Sequence, residues 1–213
     1  MTHEVEVKFQ VTSPQIFDLI RAQKQVADYR LTNQRIIPQR DTYLDTLTGR
    51  LFQQGVGLRL REKKGAYVVT FKRQLQGIHV RAELEDELTA VQAQALLNGN
   101  LVDVSGEAVQ ATMAYLQAEA IHPVLHVENR RESWHIHAGA GGIEICFDDV
   151  RYINPEQTQW AQEYELELEL KAGDVTLLQD IAHALSQQYN LNPSSQSKYE
   201  RGVELFRLFA SVD

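Results

Sequence analysis

Glutamate, arginine and lysine recur at every second position in segment after segment of this chain. In HEVEVKF, Glu4, Glu6 and Lys8 alternate with Val5, Val7 and Phe9. Arg59 and Arg61 alternate with Leu58 and Leu60, and Thr70 and Lys72 flank Phe71. Arg81, Glu83 and Glu85 stand two apart, Glu144 and Asp148 share a parity with Cys146, and Glu165, Glu167 and Glu169 alternate with leucines. Side chains alternate between the two faces of a β-strand, so each segment presents one charged and one apolar face. An ordinary wet face mixes Thr, Ser, Gln and Lys, whereas these segments are sorted by sign. Like charges side by side cost energy unless something neutralises them. Clustered carboxylates suit a hard cation such as Mg²⁺ or Mn²⁺. Clustered guanidinium and ammonium groups suit an oxyanion, with phosphate the best match for the arginine fork. The pattern therefore predicts metal and phosphate handled within one sheet.

The elements that must position these residues are legible from period and punctuation. Residues 13–24 predict a helix, with Ser13 as its cap and Pro14 in the first turn. Residues 35–46 alternate, but Pro38 argues against a strand in the first half. Residues 56–73 read as two strands about a turn at Lys64-Gly65, and residues 79–88 as another strand. The period changes over residues 89–117, which predict two helices, stopped near Gly99 and restarted near Ser105. Strands return at 124–137 and from Ile143, around a turn at 139–142, and again at 163–171. A helix follows from Asp174, and residues 197–209 predict a last one. About eight strands, with too few helices for a regular βαβ order, imply an antiparallel α+β fold in a single domain, residues 1–213. Closing such a sheet into a barrel would put the charged faces in the lumen and the apolar faces under helices.

The totals fit. The chain has 213 residues, 43% hydrophobic, enough for one well-cored domain. A net charge of −8 is a poor basis for non-specific nucleic-acid binding. One cysteine, Cys146, rules out an intrachain disulfide and fits a reducing compartment. The start lacks the pattern of a signal peptide, and no stretch approaches the ~20 apolar residues of a membrane span. The expectation is a cytoplasmic protein with a small-molecule substrate and neither nucleic-acid nor membrane partners; its oligomeric state is not legible.

The ordered series of charges resembles the CYTH superfamily, the triphosphate tunnel metalloenzymes. Glu4-x-Glu6-x-Lys8 resembles the family's N-terminal signature, and DTYLDT its second strand. GLRLR supplies Arg59 and Arg61, TFKR Lys72, VRAELE Arg81, Glu83 and Glu85, and NRRESW Arg131. IEICFDD supplies Glu144 and Asp148, ELELEL Glu165, Glu167 and Glu169, and SKYERG Lys198 and Arg201. Asn129 departs from the pattern, standing where some members carry lysine. The resemblance implies an eight-stranded antiparallel β-barrel tunnel with flanking α-helices. It also implies dependence on Mg²⁺ or Mn²⁺ and action on tripolyphosphate, thiamine triphosphate or a nucleoside triphosphate. The order of motifs is most similar to bacterial inorganic triphosphatases, which cleave tripolyphosphate to pyrophosphate and orthophosphate. The alternatives are a class IV adenylate cyclase, a thiamine triphosphatase and a non-catalytic polyphosphate-binding module. A cyclase must also seat adenine, and no residue set here plainly does so.

Carried over residue by residue, the expected metal set is Glu4, Glu6, Glu144, Asp148, Glu165 and Glu167. The expected phosphate set is Lys8, Arg59, Arg61, Lys72, Arg81, Arg131 and Lys198. The expected catalytic set is Glu4, Glu6, Lys8, Glu83, Glu85 and Asp148. Glu87 and Glu169 fall at strand ends, and Arg201 shares a helix with Lys198, so these stay open between site and surface. Other features read as structural. His135 and His137 have ligand spacing but no matching third ligand. GAGG lacks the Lys-Ser/Thr end of a P-loop. Cys146 has no histidine base, and Trp134 and Trp160 read as packing residues.

Overall fold

The structure, a computed structural model, describes residues 2–74 and 80–209, with the backbone alone at residues 2, 3, 74, 80 and 81. Alternating segments become strands: β1 (Thr2–Val11), β3 (Tyr29–Asp45), β4 (Val56–Lys63), β5 (Ala66–Gln74), β6 (Val80–Leu88), β7 (His122–Ala138), β8 (Gly141–Ile153) and β9 (Trp160–Ala172). Two short strands, β2 (Gln25–Val26) and β10 (Pro193–Ser194), pair at the margins. The helices are α1 (Gln15–Gln23), α2 (Arg50–Gln53), α3 (Ala90–Leu97), α4 (Glu107–Leu116), α5 (Val175–Tyr189) and α6 (Lys198–Phe206). Among them, no helix is long and apolar enough to cross a membrane.

The long strands pair in the order β1-β6-β5-β4-β3-β7-β8-β9, and β9 returns to β1. Every pairing is antiparallel. Residues 2–5 of β1 pair with β6 and residues 6–11 with β9, so β1 closes the circuit by serving one neighbour with each half. This is the eight-stranded antiparallel tunnel with flanking helices that the family resemblance implies.

Among the described residues, three apolar clusters hold it. Outside, α1 and α5 cover β1 and β7–β9 through Phe17, Ile20, Ile181 and Leu185 on Phe9, Ile145, Phe147 and Leu168. On the other side α2–α4 cover β4 and β5 through Leu51, Leu96 and Val109 on Leu58, Val69 and Phe71. The third cluster lies inside the ring. There Tyr199 and Val203 of α6 meet Tyr43, Leu125, Val127, Val150 and Tyr152, so that α6 fills one end of the tunnel. Gly202 allows this approach, because a Cβ there would overlap the Leu125 side chain.

Some local expectations are corrected. β3 runs straight through Pro38, against the expectation of a broken first half. Pairing with β4 spans only residues 40–44, so the proline sits beyond that ladder, where a missing N–H is tolerated. Pro14, not Ser13, is the N-cap of α1, although Ser13 Oγ still accepts from the Gln15 N–H at 3.3 Å. β8 begins at Gly141, which shortens the glycine turn. Trp160 is 59% exposed, with the Arg151 guanidinium over its ring, whereas Trp134 is buried and donates to Glu132.

Candidate functional site

The inward faces of all eight long strands bring the sequence's charged residues together in the tunnel. On the β1–β6–β5–β4 wall, Lys72 Nζ lies 2.9 Å from Glu4 and 3.0 Å from Glu83. Arg59 donates to Thr70 Oγ1 at 3.0 Å, and that hydroxyl donates on to Glu85 at 3.0 Å. Arg59 also reaches Glu83 at 3.8 Å and Asp41 at 3.9 Å, while its Nε is buried without a partner. Arg61 makes a bidentate pair with Asp41, both bonds 2.7 Å. Burial disfavours both charges, but each partner outweighs it, so Asp41 is held below and Arg61 above its ordinary range.

Glu4 and Glu83 form a coupled carboxyl pair. Burial pushes Glu4 up, but the hydrogen bond to Glu83 and the Lys72 ammonium overcome it and hold Glu4 at about 2. Burial, together with the hydrogen bond and charge of Glu4, pushes Glu83 up to about 8 despite Lys72. The two carboxyls titrate as a pair, with Glu83 the one pushed toward its protonated form.

On the β7–β8–β9 wall the acids are neutralised by cations. Lys198, the first residue of α6, is 7% exposed and puts its ammonium among Asp148, Glu167 and Glu165, at 2.9, 2.7 and 2.5 Å. Those three bonds use all three of its donors. Arg131 grips Asp148 bidentately at 2.8 and 2.6 Å and also bonds Glu167. Lys8 lies 3.3 Å from both Glu6 and Glu167. Burial lowers the Lys198 proton affinity, but the three carboxylates raise it well above the usual lysine range. Burial raises Glu167, but Arg131, Lys198 and Lys8 hold it well below the usual carboxylate range.

The position of Lys198 follows from how α6 is anchored. Ser197 caps the helix in a reciprocal capping box with Glu200. Tyr199 donates to buried Asp45 at 2.7 Å and stacks on Tyr43 at 4.9 Å between centroids. Asp45 in turn accepts from the backbone N–H groups of Leu51 and Phe52, which ties α6 to the start of α2. Arg201 pairs with Glu163 at 2.9 Å, away from the central charges.

Of the expected residues, Glu4, Lys72, Glu83, Arg59 and Glu85 form one cluster, and Lys8, Glu6, Arg131, Asp148, Glu165, Glu167 and Lys198 another. Glu144 stands apart, 3.8 Å from His135 and 3.7 Å from Lys171, which also holds Glu169 at 2.6 Å. Arg81 lies opposite Glu4 in the ladder, but its side chain falls outside the described residues. Cys146 is buried, and its thiol is pushed up by that burial, which fits the structural reading. Sequence reasoning missed Asp41, Thr70 and the Tyr199–Asp45 anchor. Asp41 alternates with Gln39 and Tyr43, a parity that marks the inward face without a repeated charge to flag it.

The donor chemistry fits a hard cation. Ligand oxygens of Asp148, Glu165 and Glu167 lie within 4.8 Å of one another, but the Lys198 ammonium already stands among them. Glu4 and Glu83, whose carboxyl groups are hydrogen-bonded to each other, offer a second pair of oxygen donors that would suit a hard cation.

The CYTH domain family matches residues 2–203. The chain is 27% identical to an inorganic triphosphatase of Haemophilus influenzae over 208 residues, 96% of this chain and 55% of that protein, so it spans about half of that relative's length. A Bacillus halodurans candidate adenylate cyclase superposes with a TM-score of 0.68 at 19% identity, covering 94% of this chain and 98% of that one. A Hippeastrum candidate adenylyl cyclase with a dominant triphosphatase activity superposes with a TM-score of 0.63 at 15% identity, covering 96% and 95%. At these identities the two structures share the fold.

Proposed function

The chain belongs to the CYTH domain family, and from that premise we propose that it hydrolyses inorganic tripolyphosphate to pyrophosphate and orthophosphate with Mg²⁺ or Mn²⁺. The observation that carries the reading is a lumen with carboxylates and cationic side chains within hydrogen-bond reach of one another, with Lys72 between Glu4 and Glu83. Phosphoryl transfer needs positioning and charge neutralisation more than a covalent nucleophile, and this inventory supplies both.

In this reading Glu4, Glu6 and Glu83 would hold the metal, which would supply charge neutralisation and an activated water when bound. Glu165, Glu167 and Asp148 join that set only where Lys198 gives up its place among them. Arg59, whose Nε has no protein partner, donates to a phosphate oxygen together with Lys72, Arg61, Arg131 and Lys8. Arg81 and Lys198 are proposed at the ends of the same grip. Thr70 holds Arg59 and Glu85 in register.

The test is a panel of tripolyphosphate, thiamine triphosphate, ATP and pyrophosphate, each with Mg²⁺ and Mn²⁺, assayed for orthophosphate and cyclic AMP. Tripolyphosphate is expected to show the highest kcat/KM. Efficient conversion of ATP to cyclic AMP with tripolyphosphate intact would make the protein a cyclase. Tight tripolyphosphate binding without turnover would make it a binding module.

A further inference from the structure

Gln39 and Asn129 stand directly opposite each other on β3 and β7. Each shares strand parity with a lumen residue two positions on, Asp41 and Arg131, so both amides turn inward. They are 6% and 3% exposed, yet Asn129 Oδ1, Asn129 Nδ2 and Gln39 Oε1 have no hydrogen-bond partner. Both polar atoms of Asn129 are unpartnered, so the result does not depend on which way round its amide is placed. An unpaired buried polar group costs about 1–3 kcal/mol, and such groups are rare. The pair is therefore built for something that enters the lumen.

Its chemistry narrows what that is. The flanking lumen groups are charged and already matched, Arg61 with Asp41 and Arg131 with Asp148. An ionised phosphate oxygen only accepts hydrogen bonds, so it suits the arginines and the Asn129 Nδ2 donor but leaves the two amide oxygens, Gln39 Oε1 and Asn129 Oδ1, without a donor. Those oxygens need a donor with two O–H groups, and water is one. β3 also stands four strands from β1 in either direction around the ring, on the wall opposite Glu4.

We infer that Gln39 and Asn129 are positioning residues for the attacking water, an assignment that rests on the triphosphatase reading. The water donates one O–H to Gln39 Oε1 and the other to Asn129 Oδ1, which leaves its lone pairs turned to the phosphate held by Arg61 and Arg131. Its oxygen bonds to phosphorus as the bridging P–O bond breaks and the electron pair leaves on pyrophosphate. One water proton stays on the new orthophosphate and the other is released to solvent.

The test replaces the amides by apolar groups of similar size, Gln39→Leu and Asn129→Leu. Misplacing a nucleophile costs on the order of 100-fold in rate, so kcat for tripolyphosphate should fall about 100-fold while KM stays within about 3-fold. The double variant should be no slower than the slower single one, because both residues hold one water. The melting temperature should not fall, since an unpartnered amide has been replaced by an apolar group. Gln39→Asn, which keeps an amide oxygen, should recover part of the rate. A rise in KM with kcat intact would instead put the pair on the phosphate and overturn the assignment, as would a crystal structure with a protein group bonded to both oxygens. The expected crystal structure has a water within about 3 Å of each. An inactive wild type with that water in place defeats the triphosphatase reading. An active wild type whose leucine variants keep kcat defeats the water assignment alone.

Discussion

Two walls of one lumen meet the same electrostatic problem in different ways. On the β7–β8–β9 wall, Asp148, Glu165 and Glu167 surround Lys198 and share Arg131, and the side chains of these acids are 0–10% exposed. On the β1–β6 wall, Glu4 and Glu83 lean on each other and on Lys72, with Arg59 3.8 Å from Glu83. The first cluster sets three cations, Lys8, Arg131 and Lys198, against four acids and pushes Glu165 up by burial; in the second, Glu83 is pushed up to about 8. A buried charge set completed by its own residues is rigid and strongly destabilised by losing one member. A set that holds a proton is open to exchange with another cation. The difference teaches that not every acid in a charged tunnel is equally available for metal, although the sequence writes both sets in the same alternating pattern.

Removing the resident cation should have the largest effect. Lys198→Met keeps the length of the side chain and leaves three buried carboxylates facing one another. Breaking such a set costs about 3–5 kcal/mol, so the melting temperature should fall by roughly 10 °C in a chain of this size. The three acids that remain have the spacing of a metal site, so millimolar Mg²⁺ or Mn²⁺ should recover more of the loss in the variant than it adds to the wild type. Wild-type stability in Lys198→Met, measured by calorimetry, would break the contrast between the walls.

The wall that carries β1, with Glu6 at its junction with the Lys198 cluster, should respond in activity, not stability. Glu4→Gln and Glu6→Gln keep shape and remove a charge, and tripolyphosphate hydrolysis should drop by at least about 100-fold with the fold retained. Arg59→Ala, Arg61→Ala and Lys72→Ala should each cost a few kcal/mol in kcat/KM, about what the loss of a charge-assisted bond to phosphate removes. Circular dichroism alongside steady-state kinetics separates the two responses. Full activity of both glutamine variants in chelator-treated buffer would take the metal away from this wall.

What was legible in the sequence follows from what a residue must do alone. Strand faces need only parity, so β1, β4, β8 and β9 and nearly all the inward charges could be read directly. Partner choice needs the ring. That Lys198 sits among Asp148, Glu165 and Glu167, and not free on its helix, depends on α6 entering the tunnel, which Gly202 and the Tyr199–Asp45 bond decide far from the acids. Pro38 misled because a local rule about ladder hydrogen bonds met a strand whose neighbour had already ended. Asp41, the tightest partner of Arg61, opens the DTYLDT motif but no repeated charge flagged it for the site, since a single acid between Gln39 and Tyr43 repeats nothing.

The smallest effect sharpens the comparison most, because it reads the proton that distinguishes the walls. Glu83 has a folded pKa of about 8 against an ordinary 4.5. A raised pKa means that the folded protein binds the proton more tightly, so its stabilising contribution is complete below about 4.5 and is lost as the pH climbs to about 8. Glu4, held at about 2, has the opposite sign: its contribution is present above 4.5 and is lost only as the pH falls toward 2. Between pH 6 and pH 9 only Glu83 of this pair changes charge, and it leaves two ionised carboxylates in contact. In chelator-treated buffer the melting temperature should therefore fall across that interval by roughly 2–4 °C, the shift that about 1 kcal/mol produces at this size. Glu83→Gln removes the titrating proton, so this part of the fall should vanish. In the Lys198 cluster Asp148 and Glu167 stay ionised and the lysine stays protonated, while burial pushes Glu165 up, so it is the Glu83→Gln comparison that isolates the Glu83 part of the profile. A wild type and a Glu83→Gln variant with the same pH profile would mean that the β1–β6 wall holds no shared proton, and the two walls would then differ in their partners but not in their readiness to exchange a cation.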